Sequence, residues 1–449
     1  MNNLNIIKTI HNYLWNIPLI TMILLVGIIL SIKLKGLQIT KLKEAFFILF
    51  KKEKKDKQSI STFQAICISL SATLGAGNIT GVAAAVTLGG PGALIWMIIT
   101  ILLGLPIKYA ESYLACKYRI INDNKIIGGP YAYIENGLGG KYILLSKSYA
   151  LFGMLAAILG LGTFIQINGV SDAFKNIFIN DIYINNIFGT KLSISSLFIG
   201  LIFSFLAYMV ILGGTKKIAK YCEILIPVVA FIYISICLFV IIINIKYLPH
   251  TIIKIFINSF NKEAFTSGII GYAIKEGVTK GIFASEAGIG SSAIAISSTE
   301  EKDPKKLGLA SLGSTFFGTL IICILTGIVI VITDSYNQNL SGISIANYAF
   351  ITGLKINPKL VSIILFICIT IFAFTTIIGW NLYGIKCLNY LTNNKYIYYI
   401  YQWIYIMMVF IGAFLNVEPI WNVAEIFNAL MIIPNLLAIL LLIKKIKNV

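Results

Sequence analysis

Residues 71–85 read SATLGAGNITGVAAA, inside an apolar span placed near 62 to 88. The stretch carries Gly75, Gly77 and Gly81 beside the polar Asn78, and each glycine costs roughly 1 kcal/mol relative to alanine in a helix interior. A helix that had only to fill lipid would not be built this way. A second stretch repeats the anomaly: residues 281–295, GIFASEAGIGSSAIA, place Gly281, Gly288 and Gly290 around Glu286, and an acid at membrane depth costs a few kcal/mol more. Unwound backbone is tolerated in lipid only where it is buried in protein or lines a cavity. Both spans therefore read as interrupted helices whose freed peptide groups serve as ligands. Half-helix amino ends favour a carboxylate, and bared carbonyls favour an ammonium or Na⁺.

The rest of the 449 residues agrees with a membrane setting. Hydrophobic residues make up 58% and charged residues 12%, with a mean hydropathy of +0.87, whereas a soluble domain is roughly a quarter charged. A water-soluble enzyme is excluded on that ground. The net charge of +18 sits in short lysine clusters between apolar runs, with no aromatic-interleaved basic face, so it reads as membrane topology rather than nucleic-acid binding. Of the basic residues only Arg119 is arginine. The seven cysteines show no CxxC pair and read as free thiols, and two histidines, His11 and His250, leave no catalytic zinc signature.

A bilayer core needs about 20 apolar residues per helix. Eleven segments qualify, near 14 to 34, 62 to 88, 91 to 115, 148 to 173, 193 to 212, 221 to 245, 266 to 297, 307 to 332, 359 to 388, 396 to 416 and 420 to 443. With the amino terminus outside and the carboxyl terminus in the cytoplasm, most lysines fall on the inner side, as the positive-inside rule asks of a cell-membrane protein. The loop KLKEAFFILFKKEKKDKQ, residues 41–58, reads at first as an amphipathic helix on the cytoplasmic face. Setting the first span aside, the two interrupted helices are first and sixth of ten. Five is odd, so the second set of five enters from the opposite side, the layout of a 5+5 inverted repeat. The expected division is 1–60, 61–247 and 248–449.

Several stretches carry a resemblance: FQAICISLSATLGAGNITGVAAAVTLGGPGALIWM (63–97), GGPYAYIENGLG (128–139), GVTKGIFASEAGIGSSAIA (277–295), FAFTTIIGWNLYG (372–384) and AEIFNALMIIPNLLA (424–438). In order and content they resemble the alanine or glycine:cation symporters, also called sodium:alanine symporters. The resemblance implies an all-α polytopic fold of the leucine-transporter type with one extra amino-terminal helix. It also implies uptake of alanine and glycine coupled to Na⁺, or to H⁺ in some members, with no enzymatic step. Two departures stand out: Ala76 where the family usually has threonine, and Ser285 where it usually has asparagine.

The resemblance also assigns residues. For a zwitterionic amino acid, the amides of Ala76 and Gly77 with the Asn78 side chain would meet the carboxylate. The Thr73 carbonyl and carbonyls from Ser285 through Glu286 to Gly288 would accept from the ammonium. Thr375 and Thr376 would join the carbonyls of Ser71 and Leu74 in an oxygen cage for Na⁺, a donor set suited to a hard cation. Trp380 would close a pocket too small for leucine. From the residues alone other readings stay open. Gln166 offers a donor and an acceptor, to substrate or to a neighbouring helix. The threonine pair can bond its own backbone, Trp380 can be a packing aromatic, and Glu286 can attract a cation, relay a proton or cap loose amides. A transporter of the same fold for another amino acid or an organic amine, driven by protons, is the alternative function.

Overall fold

The computed structural model describes residues 3–15, 17–50, 60–122, 125–175, 177, 183–187, 190–260, 269–340, 342–414 and 417–449. They form a helical protein with two short antiparallel hairpins, 120–122 with 125–127 and 183–187 with 190–193. The amino-terminal part comprises α1 (Asn3–Leu14), α2 (Ile17–Lys33), α3 (Leu37–Thr40) and α4 (Leu42–Phe50). The helix expected at the start of the basic loop is thus present, and residues 51–59 of that loop lie outside the described ones.

Next come α5 (Thr62–Thr73), α6 (Ala76–Gly89), α7 (Ala93–Lys117), α8 (Pro130–Leu138), α9 (Ile143–Leu159), α10 (Phe164–Lys175), α11 (Ile194–Ile211) and α12 (Gly214–Ile243). After α13 (Leu248–Phe260) follow α14 (Ile269–Ser285), α15 (Ser291–Ile296), α16 (Pro304–Ser314), α17 (Ile321–Ile332), α18 (Ile343–Leu354), α19 (Pro358–Leu391), α20 (Lys395–Gly412) and α21 (Val417–Leu441). A π-turn over Thr315–Leu320 joins α16 to α17. Ends follow local chemistry. Ser61 and Gln64 form a reciprocal capping box at α5, and Asp303 and Asn357 cap helices that start with proline.

Among the described residues eight helices are long and apolar enough to cross a bilayer, and nine if α5 and α6 count as one bent span. Two further predicted segments are harder to recognise by length and hydropathy, for visible reasons. The one near 266 to 297 is cut into α14 and a six-residue α15, and α20 is diluted by tyrosines. Large apolar side chains such as Phe198, Phe205 and Phe231 point outward, Phe231 at 74% exposure, which is what a lipid-facing belt requires.

Small residues let the central helices approach closely. A Cβ on Gly277 of α14 would lie 2.4 Å from the Ala93 carbonyl oxygen of α7, and one on Gly104 of α7 would lie 2.6 Å from Ala287 Cβ. Close backbone contact of this kind drives helix association where lipid removes the hydrophobic incentive. Gly277→Val should therefore destabilise the protein by about 1–3 kcal/mol and lower its melting temperature in detergent. Gly81→Ala, where an added Cβ meets nothing within 4 Å, should not lower it.

Candidate functional site

The first break falls between α5 and α6, whose axes bend by 42°. Leu74 leaves the helix at φ −98°, and Gly75 is extended at φ −92°, ψ 179°. No side chain fits at Gly75. Its Cβ would stand 2.6 Å from Gln166 Oε1 and 2.9 Å from Thr376 Oγ1, so α10 and α19 both press on the break. Gln166 Oε1 accepts from the Ala76 N–H at 2.9 Å, and Gln166 Nε2 donates to the Leu161 carbonyl at 3.1 Å. The side chain thus caps α6 and bridges two helices. Asn78 is buried, and its Nδ2 has no hydrogen-bond partner among the described residues. A Cβ on Gly77 would sit 3.7 Å from the Trp421 ring and 3.8 Å from Ile165.

Thr376 Oγ1 lies 2.6 Å from the Ser71 carbonyl oxygen and 2.8 Å from that of Phe372. The expected oxygen pairing of α19 with α5 is therefore in place at this residue. Thr375 is directed elsewhere, with its hydroxyl 2.9 Å from the Ile371 and Phe372 carbonyls of its own helix. The Thr73 hydroxyl likewise bonds back to Ser69 and Leu70. The donors gathered here are carbonyl and hydroxyl oxygens, which fit Na⁺ as cargo. Among the described residues no group of three or more His, Cys, Asp or Glu could hold a metal ion.

At the second break α14 ends at Ser285, and Glu286, Gly288 and Gly290 turn the chain at φ 52°, 89° and 79°. Most of the freed backbone is already taken. Gly288 N–H donates to Glu111 Oε1 at 2.9 Å, the Gly288 carbonyl accepts from Asn435 Nδ2 at 2.7 Å, and the Ile289 carbonyl accepts from the Tyr149 hydroxyl at 2.8 Å. The Ser285 hydroxyl folds back onto the Gly281 carbonyl at 2.9 Å. Glu286 accepts from the Ser291 hydroxyl, Asn435 from the Tyr133 hydroxyl, and Lys108 Nζ donates to Ser292 Oγ at 2.9 Å. Lys108 and Glu111 are wholly buried and Glu286 is 1% exposed.

Trp380 is fully buried, meets Tyr383 edge-on at 5.5 Å, and packs over Gly162. Gly162 belongs to a third interruption, Gly160–Thr163 between α9 and α10, where Tyr405 and Thr163 bond to the carbonyls of Gly162 and Ile158. Sequence reasoning did not find this break, although GLGT offers two glycines. It also passed over Glu111, Asn435 and Trp421. Glu111 was detectable as a second charge one turn from Lys108 in an apolar span. Nothing in sequence separates Asn435 or Trp421 from ordinary packing residues.

A narrow cavity of about 40 Å³ lies beside the first break, lined by Thr80, Ile165, Asn168, Asp172, Ile343 and Trp421. The buried polar atoms of Asn381, Asn428 and the Tyr383 hydroxyl have no partners among the described residues, as expected of a core that a polar guest or water completes. Broken helices around such a centre, within a polytopic bundle, define a transporter that binds its cargo inside the membrane.

The sequence comparisons narrow this class. The whole chain, residues 1–449, matches the model of the sodium:alanine symporter family. It is 35% identical to the sodium/alanine symporter AgcS of Methanococcus maripaludis over 98% of this chain and 95% of AgcS. It is 36% identical to the probable sodium/glutamine symporter GlnT of Bacillus subtilis over 98% and 88%. The fold resembles that of MhsT, crystallised with L-phenylalanine, at a TM-score of 0.62 and 16% identity, covering 87% of this chain and 90% of MhsT. The chain belongs to the sodium:alanine symporter family. It is a transporter rather than an enzyme, and its activity is Na⁺-coupled amino-acid symport.

Glu111→Ala would leave the Gly288 N–H without its acceptor in a closed space. An unsatisfied buried donor costs about 1–3 kcal/mol, so this variant should lose thermal stability in detergent beyond Glu111→Gln, which keeps an acceptor.

Proposed function

We propose that the protein takes up alanine and glycine with Na⁺, and that the first break is where the amino acid binds. The observation that carries this reading is the Asn78 Nδ2, buried without a partner beside the amino end of α6. A helix amino end with a spare amide donor is suited to a carboxylate. Gln166 Oε1 now holds the Ala76 N–H. Substrate binding replaces that neutral acceptor with a charged one, and charge-assisted hydrogen bonds are roughly twice as strong as neutral ones. The Gly77 N–H and Asn78 complete the carboxylate site, and the carbonyls of Thr73 and Ser285, with Glu286 and Gly288 beside them, face the ammonium.

Size supports a small substrate. Trp421 and Ile165 stand within 4 Å of a methyl placed at Gly77. Na⁺ takes the Ser71 carbonyl and Thr376 hydroxyl, joined by Leu74 and by Thr375 after a rotamer change. Because cation and substrate order the same residues around Gly75, each raises the affinity for the other.

The same reading makes the chain an eleven-span protein with its amino terminus outside and its carboxyl terminus in the cytoplasm. Residues 1–60 form the extra helix and linker, and 61–247 and 248–449 form two inverted five-helix repeats. Support comes from the two interrupted helices, α5–α6 at the start of the first half and α14–α15 after α13 in the second. A second reading, with a proton in place of Na⁺, is favoured by one feature: two carboxylates, Glu111 and Glu286, share a closed space with one lysine, Lys108.

Radiolabelled alanine binding to the purified protein across a Na⁺ series tests both ion and site. Asn78→Ala should weaken binding roughly tenfold, the worth of one charge-assisted hydrogen bond, and unchanged affinity would remove the assignment. Thr376→Ala should shift the Na⁺ dependence more than it weakens binding at saturating Na⁺. Uptake that follows a proton gradient with no Na⁺ gradient would favour the second reading.

A further inference from the structure

Trp421 borders both the first break and the adjoining cavity, and the residues behind it form a chain of contacts that the transport site itself does not need. Lys280 Nζ sits 4.9 Å from the centre of the Trp421 ring, and Phe283 packs on the ring at 5.0 Å. Lys280 Nζ is in turn 2.8 Å from Glu425 Oε1, one turn further along α21. The other carboxylate oxygen of Glu425 pairs with His11 of α1, and the Glu425 backbone carbonyl accepts from Trp15 Nε1 at 2.8 Å. Glu425 is 3% exposed and Trp15 2%. A buried carboxylate so fully engaged holds one geometry. Through it the amino-terminal helix reaches the aromatic ring that covers Gly77.

We propose that Trp421 is the external lid of the amino-acid site, and that His11 and Trp15 are positioning residues which hold the lid down through Glu425 and Lys280. This rests on the orientation given under the proposed function, in which the last span starts on the external side, close to Trp421. In the structure the lid is closed: the ring stands 3.7 Å from a Cβ at Gly77, and Trp421 also lines the adjoining cavity. Lid opening requires Trp421 to leave Phe283 and Lys280. The bonds from α1 oppose that movement without touching the substrate.

The test is a thiol placed beneath the lid, Gly77→Cys, where an added Cβ stands 3.7 Å from the Trp421 ring, labelled from outside by a membrane-impermeant maleimide. All seven native cysteines are buried. Trp421→Ala should speed labelling strongly. His11→Ala should speed it by roughly tenfold, the factor for loss of one charge-assisted hydrogen bond, and His11→Gln, which restores a donor to Glu425, should return it towards the parent rate. A merely structural role for His11 predicts no such rescue. Should His11→Ala fail to fold, Trp15→Phe keeps the packing and removes one bond, and it too should speed labelling. Labelling unaffected by His11→Ala or Trp15→Phe overturns the proposal. Na⁺-dependent alanine binding by the parent protein is measured in parallel. Its absence would overturn the transport reading while the labelling series still reports on the lid.

Discussion

A peptide group released from its helix inside a membrane has no water to turn to, and leaving it unpaired costs several kcal/mol. This constraint governs the centre of the molecule. Three interruptions each meet it with side chains from other helices: Gln166 at Ala76, Glu111 with Asn435 and Tyr149 at Gly288 and Ile289, and Tyr405 at Gly162. The partners come from elements far apart in the chain. An opened helix is therefore stable only once the bundle has closed around it.

The breaks are not equivalent in how they are satisfied. At the first, one neutral amide side chain covers the helix end, and an Asn78 donor is left over. At the second, a closed network of carboxylate, amide and phenol groups holds the backbone of Gly288 and Ile289. A guest with a carboxylate can displace the first arrangement at little cost, whereas displacing the second would strand buried charges. This difference supports the proposal that binding falls chiefly at the α5–α6 break. In that reading the α14–α15 break, with Lys108 and Glu286 beside it, would serve as the more rigid side of the site.

In the proposed site, coupling between ion and amino acid would follow from the same local geometry. Thr376 of α19 meets the Ser71 carbonyl, and both Thr376 and Gln166 crowd Gly75. An ion at the Ser71–Thr376 oxygens and a carboxylate at the α6 end would share four residues of backbone. Ordering that segment once serves both ligands, which is the physical content of symport at a single closed site.

Periodicity, composition and the misplaced glycines were enough to place a polytopic helical bundle with interrupted helices within 71–85 and 281–295, because those features are local and show in local helix propensity. The family motifs pointed to the class, and the structure brings Thr376 against the Ser71 carbonyl through a hydrogen bond. Which groups answer the freed peptides was a tertiary decision. Gln166 at Ala76, Glu111 and Asn435 at Gly288, and His11 at Glu425 join residues 90, 177, 147 and 414 positions apart, and no spacing rule spans such distances. Thr375 illustrates the same limit at short range, since its hydroxyl bonds the Ile371 and Phe372 carbonyls of its own helix while Thr376 meets Ser71. Sequence alone located two of the three places where the helices open; packing decided what fills each opening, because hydrogen-bond partners in lipid are set by which side chains the bundle brings near.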